Sequence, residues 1–255
     1  MSAARVSDPF RLDGKVGLVT GSTRGIGRAI AEAMITAGAR VTISSEDAAD
    51  TAAVAAELGM PGVPCDVTDA AAIERLVEAT AAPDGGLDIV VCNAGITGRP
   101  GGFADIAMDD YDRVMAINLR SQVMLARAAR PHLRAGGSLV LISSLSALRG
   151  NGAISAYALA KAGVSQLARN LAVEWGPHGL RCNAIAPGFI ATELSRPLLE
   201  NQAFMARRMQ MTPLRRPGTP AEVAGAAVFL ASPAAGFITG QTLVVDGGTL
   251  ITDGS

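Results

Sequence analysis

The 255-residue chain carries 22 basic and 23 acidic side chains, a formal net charge of −1, and 49% of it is hydrophobic. That apolar content excludes a disordered chain, and the balanced charge excludes the basic stripe through which proteins hold nucleic acid. The length suits one α/β domain with a sizeable core.

Short apolar runs alternate with alanine-rich segments of helical period from the start. In chain order the pattern predicts a strand over 16–20, a helix over 25–37, a strand over 40–44 and a helix over 48–58. A strand ending near Cys65, a helix over 69–80 and a strand over 87–92 follow. Next come a helix over 118–133, a strand over 138–143, a long helix over 155–175 and a strand over 181–186. Helices near 195–210 and 220–231 precede a last strand over 242–245. The strands are continuous apolar runs, as expected of parallel strands covered on both faces. Strands alternate with helices along the whole chain, without a repeat, linker or composition break. The pattern predicts α/β class: a doubly wound parallel sheet in a single domain, residues 1–255.

Residues 1–13 carry Arg5, Asp8, Arg11 and Asp13 and no apolar run, so they read as an N-terminal extension and not as a signal peptide. The uncharged stretch 223–245 is broken by Pro233, Gly236, Gly240 and Gln241, and reads as helix, turn and buried strand, not a membrane span. Three well-separated cysteines, Cys65, Cys92 and Cys182, form neither a disulfide framework nor a metal spacing, and point to a reducing, cytoplasmic setting.

The first strand runs into Gly21-Ser22-Thr23-Arg24-Gly25-Ile26-Gly27 and then a helix. Glycines let the backbone turn sharply and approach a pyrophosphate, which the positive end of the helix then attracts. The spacing, G-x-x-x-G-x-G, differs from the general dinucleotide fingerprint. Lysine and tyrosine are scarce: Lys15 and Lys161, Tyr111 and Tyr157. Tyr157 and Lys161 stand four apart, on one face of a helix. A tyrosine is a weak base at neutral pH, and a nearby ammonium favours its phenolate. Upstream, Ser143, Ser144 and Ser146 follow a strand at its carboxyl end, where a doubly wound sheet binds its ligand. A hydroxyl there can donate to a carbonyl oxygen while the tyrosine moves a proton.

With these motifs the sequence resembles the short-chain dehydrogenase/reductase family, in its single-domain branch, from Lys15 to Gly248. The carriers are the glycine loop, Asp66-Val67, Asn93-Ala94-Gly95, Asn118, Ser144, Tyr157 with Lys161, Pro187-Gly188 and Asp246-Gly247-Gly248. The resemblance selects Ser144 among the serines and implies a Rossmann fold. It implies that Tyr157 is the general acid or base, that Ser144 holds the substrate oxygen and that Asn118 holds a relay water. Lys161 would bind the nicotinamide ribose and lower the tyrosine pKa. Asp66 and Val67 would border the adenine, Asn93, Ala94 and Gly95 the cleft, and Pro187, Gly188, Ile190 and Thr192 the nicotinamide. It also implies a homo-oligomer, a tetramer or dimer, packed on the small residues of the Tyr157 helix, including Gly163 and Ser165.

For the cofactor, NAD or NADP, the residues after the second strand matter. An acid there bonds the adenosine ribose and repels a 2′-phosphate, and arginine attracts one. Ser45 and Glu46 oppose Arg24 at this point, and the balance leans to NAD. The expected reaction interconverts a secondary alcohol and a ketone. About 190–217 the resemblance implies a lid, where Phe204, Met205, Met209 and Met211 suit an apolar or bulky carbonyl compound. Arg99 and Arg149 are weaker candidates for an acidic substrate. A catalytically silent dinucleotide sensor is the alternative, although it has no need of a Ser-Tyr-Lys set. A serine hydrolase lacks the G-x-S-x-G elbow.

Overall fold

The computed structural model describes residues 8–252; residues 1–7 of the expected extension lie outside the described residues. Among the described residues the strands are β1 (Val16–Thr20), β2 (Arg40–Ser44), β3 (Leu87–Cys92), β4 (Leu133–Ile142), β5 (Arg181–Pro187) and β6 (Thr242–Val245). They form one sheet in the order β2-β1-β3-β4-β5-β6, with every pairing parallel. The helices are α1 (Gly25–Thr36), α2 (Ala48–Leu58), α3 (Ala70–Ala81), α4 (Met108–Met115) and α5 (Ser121–Ala129). They continue with α6 (Ser155–Trp175), α7 (Arg196–Leu199), α8 (Gln202–Gln210) and α9 (Pro220–Ala231).

Successive strand residues face opposite ways, so an uninterrupted apolar run feeds two cores at once. Leu18, Val90, Leu139 and Leu141 enter a core closed by α3, α5 and α6. Val19, Val91, Val140 and Ile142 enter a second, closed by α1, α2 and α9. The described part of the extension is not loose: Leu12 is buried, its N–H donates to Ala37 O, and Phe10 packs on the Phe229 ring.

Three expectations change. The strand ending near Cys65 is only a bridge from Gly62 to Ile43, with Val63 N and Cys65 N donating to Ile43 O and Ser45 O. Pro61 and Pro64 remove the donors a longer ladder needs. The helix expected over 118–133 starts ten residues earlier at Met108 and is interrupted by a π-helical turn at Ala116–Arg120; past α5 it tightens to a short 3₁₀ turn at Arg130–His132, where Pro131 lacks an N–H. β4 begins at Leu133, because a register shift against β3 takes up residues 134–137, where Gly136 adopts φ +83°.

The small residues expected to receive a partner subunit are used inside the chain. A Cβ on Gly163 would stand 2.8 Å from Leu119 Cδ2, and the buried Ser165 hydroxyl bonds Ser143 Oγ at 2.8 Å.

Candidate active site

The strand order reverses at β1, which has β2 on one side and β3 on the other. Doubly wound sheets bind ligands at such a switch point, beyond the carboxyl ends of the strands. A cleft of about 770 Å³ lies there, lined by the glycine loop, Ser45, Glu46, Asp66, Val67, Asn93–Gly95, Asn118, Tyr157, Lys161 and Thr192.

The glycine loop is held by close packing. Gly21 adopts φ +64°, and a Cβ on Gly27 would come within 2.1 Å of Gly21 O and 2.3 Å of Asn93 Nδ2. Asn93 Nδ2 in turn donates to the carbonyls of Thr20 and Gly21 at 2.9 and 3.1 Å. Side chains of Asp47, Asp69 and Asn201 cap α2, α3 and α8, whereas α1 has no side-chain cap and no acid in its first turn. Its first N–H groups and positive dipole end therefore face the cleft without an internal acceptor. The residues present fit the pyrophosphate of a nicotinamide dinucleotide.

Ser22 does not line the cleft. Its hydroxyl donates to Val19 O and accepts from Ser44 N, which ties β1 to β2. Pro187, Gly188 and Ile190 also stay out of the lining. Pro187 pairs with Val245, a Cβ on Gly188 would overlap Asp246, and Ile190 packs beneath Gly218. Arg24 Nη2 meets Glu46 Oε1 at 3.4 Å on the exposed rim.

At the other end, β4 and α6 bring the chemistry together. Lys161 is buried, and its Nζ donates to Ile142 O, at the end of β4, at 2.7 Å. Ser143, next in sequence, bonds Lys161 O, leaving Ser144 as the hydroxyl beside Tyr157. Lys161 Nζ lies 5.6 Å from the Tyr157 ring centre. Burial lowers the Lys161 pKa to about 8. The Tyr157 pKa rises: burial dominates and hydrogen bonding with Ser144 offsets only part of it. At this half-buried position a charged phenolate loses more hydration than the bond with Ser144 returns.

Asn118 sits in the π turn. Nδ2 donates to Ile96 O at 2.8 Å and to Val114 O at 3.0 Å, and Oδ1 accepts from Ile96 N at 3.2 Å. A Cβ on Gly95 would stand 2.6 Å from Asn118 Oδ1, so glycine leaves room for that amide, and 3.5 Å from Lys161 Nζ, an ordinary contact. Cys65, Thr68, Ile96, Arg113, Ile142 and Leu194 also line the cleft. Sequence reasoning missed them, although all but Arg113 lie within two residues of site positions it named. The three cysteines are free and buried, and burial raises their pKa values, Cys65 to about 11 and Cys182 to about 12, which makes them poor nucleophiles.

Fold and cleft together define a dinucleotide-binding α/β oxidoreductase, and comparison with known proteins agrees. A family model described as Enoyl-(Acyl carrier protein) reductase matches residues 21–249. D-threitol dehydrogenase of Mycolicibacterium smegmatis is 39% identical over 249 residues, covering 95% of each chain. A gluconate 5-dehydrogenase from Burkholderia cenocepacia, solved with NADP and tartrate, superposes with a TM-score of 0.92 at 34% identity, covering 96% of this chain and 98% of that one. A 7α-hydroxysteroid dehydrogenase, solved with NADH and 7-oxo glycochenodeoxycholic acid, gives 0.89 at 37% identity, covering 95% and 96%. The chain belongs to the short-chain dehydrogenase/reductase family. It is an NAD(P)-dependent oxidoreductase of CH–OH groups.

Proposed function

We propose that the protein interconverts a secondary alcohol and its ketone, with Tyr157 moving the proton at the substrate oxygen. The observation that carries this reading is the meeting of Tyr157, Lys161 and Asn118 at one end of a cleft whose other end is the uncapped start of α1. The dinucleotide, when bound, supplies hydride exchange at nicotinamide C4. Gly21, Thr23, Arg24, Gly25, Ile26 and Gly27 hold its pyrophosphate. Ser45 and Glu46 meet the adenosine ribose, Asp66 and Val67 border the adenine, and Thr192 closes the nicotinamide end. Lys161 bonds the nicotinamide ribose.

In ketone reduction the Tyr157 hydroxyl donates its proton to the carbonyl oxygen, while Ser144 holds that oxygen by a hydrogen bond. The phenol is protonated at neutral pH, the form this direction requires, and burial shifts it further that way. Alcohol oxidation needs the phenolate and so gains from alkaline pH. Asn118 spends its side-chain amide on Ile96 and Val114, so its part in a proton relay falls to holding the wall against which a water would sit. Glu46 beside Arg24 favours NAD, since a 2′-phosphate would lie against the carboxylate.

The similar proteins range from threitol and gluconate to steroid dehydrogenases, so the pocket wall sets the substrate. Residues 190–217 form the lid, and partly buried Phe204, Met205, Met209 and Met211 give it an adaptable apolar face. Buried free cysteines suit the cytoplasm. The exposed Leu159 and Val173 of α6, not Gly163 or Ser165, are available to a partner subunit in a dimer or tetramer.

Calorimetry with NADH and with NADPH tests the reading, followed by nicotinamide absorbance with a ketone panel. Trp175 is a distant reporter, about 27 Å along α6 from Tyr157 at ~1.5 Å per residue. Tyr157→Phe is expected to bind the dinucleotide normally and to lose roughly 10²–10⁴-fold in kcat. Absence of dinucleotide binding by the folded protein, or full turnover by the variant, refutes the proposal.

A further inference from the structure

The lid helix α8 carries an arginine with no hydrogen-bond or ion-pair partner for its side chain among the described residues. Arg208 is partly buried, and its Nε is fully buried without a hydrogen-bond partner. Among the described residues its guanidinium meets no carboxylate within ion-pair distance and lies instead over the Phe189 ring, 5.6 Å from the centre. Phe204 closes the same ring edge-on at 5.4 Å, fixing the platform. The carboxylate whose charge reaches it is that of Asp246, which lies beyond ion-pair distance and accepts from Gly248 N at 2.8 Å and Leu250 N at 2.6 Å. The other charged neighbour is Arg149, on the loop between Ser144 and Tyr157, whose like charge adds to the burden on Arg208.

A desolvated guanidinium beside a second one is unfavourable unless an anion joins them. An aromatic face offsets part of that penalty and holds the planar fork in one orientation. The position is also telling. Phe189 follows the end of β5 and Asp246 the end of β6, while Ser144 follows the end of β4. Because β5 and β6 lie beyond β4 in the sheet, these residues stand at its carboxyl edge, on the side of Ser144 away from β1. This is the opposite side from the glycine loop after β1, where the pyrophosphate is held, so the dinucleotide does not supply the anion.

We infer that Arg208, seated on Phe189 and assisted by Arg149, is a specificity-determining residue that binds a carboxylate on the alcohol or ketone substrate. This rests on the oxidoreductase reading above and narrows it to an oxo or hydroxy acid whose charge lies several bonds from the reacting carbon. The apolar lid then covers the linking carbons while the arginines take the charged end.

The test compares oxo acids of increasing length, levulinate first, with their methyl esters, which keep the ketone and lack the charge. The wild-type protein is expected to favour acid over ester in kcat/KM by roughly 10- to 100-fold, the value of a charge-assisted hydrogen bond, with the difference lying in KM. Arg208→Gln is expected to bring that ratio close to one, and Arg208→Lys to restore it in part. Calorimetric binding of the preferred acid to the dinucleotide complex, with inorganic phosphate as competitor, separates a substrate carboxylate from a general anion site. An acid-to-ester ratio near one in the wild type, a ratio unchanged in Arg208→Gln, or phosphate displacing the acid at equal concentration overturns the inference. Failure of the oxidoreductase reading looks different, because the dinucleotide then does not bind. In that case calorimetry of levulinate alone decides: equal binding, or none, to wild type and Arg208→Gln overturns the assignment.

Discussion

Asn118 is bonded twice to the backbone of Ile96, donating through Nδ2 to its carbonyl and accepting through Oδ1 from its N–H. The second Nδ2 hydrogen goes to Val114 O, the carbonyl that an α-helix would give to the backbone N–H of residue 118. The side chain thus replaces a lost backbone bond at the π turn and fastens the loop after β3 to it. Two carbonyls, one buried and one part-buried, depend on one amide.

Asn118→Ala is therefore expected to lower stability by about 1–3 kcal/mol, the range for stranding buried polar groups. Turnover should fall more steeply than dinucleotide affinity, because the displaced wall is the one facing Tyr157 and Lys161. Urea unfolding together with kcat and Kd for the dinucleotide measures both. An unchanged midpoint would show that water satisfies the two carbonyls as well as the amide does.

The buried ammonium of Lys161 makes stability depend on pH in a defined window. Its folded pKa is about 8 against 10.5 unfolded, so between those values the unfolded chain holds more protons. Stability contributed by this site therefore rises as pH increases through 8 towards 10, and is flat below 8. Above about 10 the raised Tyr157 pKa acts in the opposite sense, since the unfolded phenol then loses its proton first. Denaturant unfolding of wild type and Lys161→Met across pH 7 to 10 should give curves whose difference has this slope. A parallel pair of curves would count against a buried ammonium.

Two glycines in helices separate close packing from propensity. Replacing a helical glycine by alanine stabilises by up to ~1 kcal/mol where space is open. Gly225 of α9 has open space, so Gly225→Ala is expected to raise the melting temperature. Gly27→Ala would instead drive a Cβ into Gly21 O, a backbone atom that cannot step aside. It should lose about 1–3 kcal/mol and much of the dinucleotide affinity. Thermal melts of the two variants, read with and without dinucleotide, distinguish the cases.

Glu46→Gln releases Arg24 from its rim contact and removes a negative charge from the ribose end. NADPH affinity is expected to rise roughly five- to thirtyfold, with little change for NADH, and the gain should shrink in high salt. Equal effects on both dinucleotides would place the 2′ position elsewhere.

Much of this molecule was legible in one dimension. The apolar runs that become β1, β3 and β5 are read directly, because burial on both faces leaves no polar alternation to confuse them. The glycine loop and the Tyr157–Lys161 pair were readable for a related reason: their geometry is local, a turn in one case and one helical turn in the other. The region of residues 62–65 misled because a bridge of alternate bonds looks like a strand in composition, and the π turn at Asn118 was not readable because a side chain there stands in for a backbone donor.

What the sequence determined by itself is thus the order of the elements and the local motifs, since these depend on neighbours a few residues apart. Tertiary structure alone decided that Ser22 turns inward, that Gly95 makes room for Asn118, and that Arg208 lies on Phe189 with no carboxylate in ion-pair distance among the described residues. Those relations join residues far apart in the chain, and they are fixed by where parallel strands end and which side chains the desolvated space between them admits.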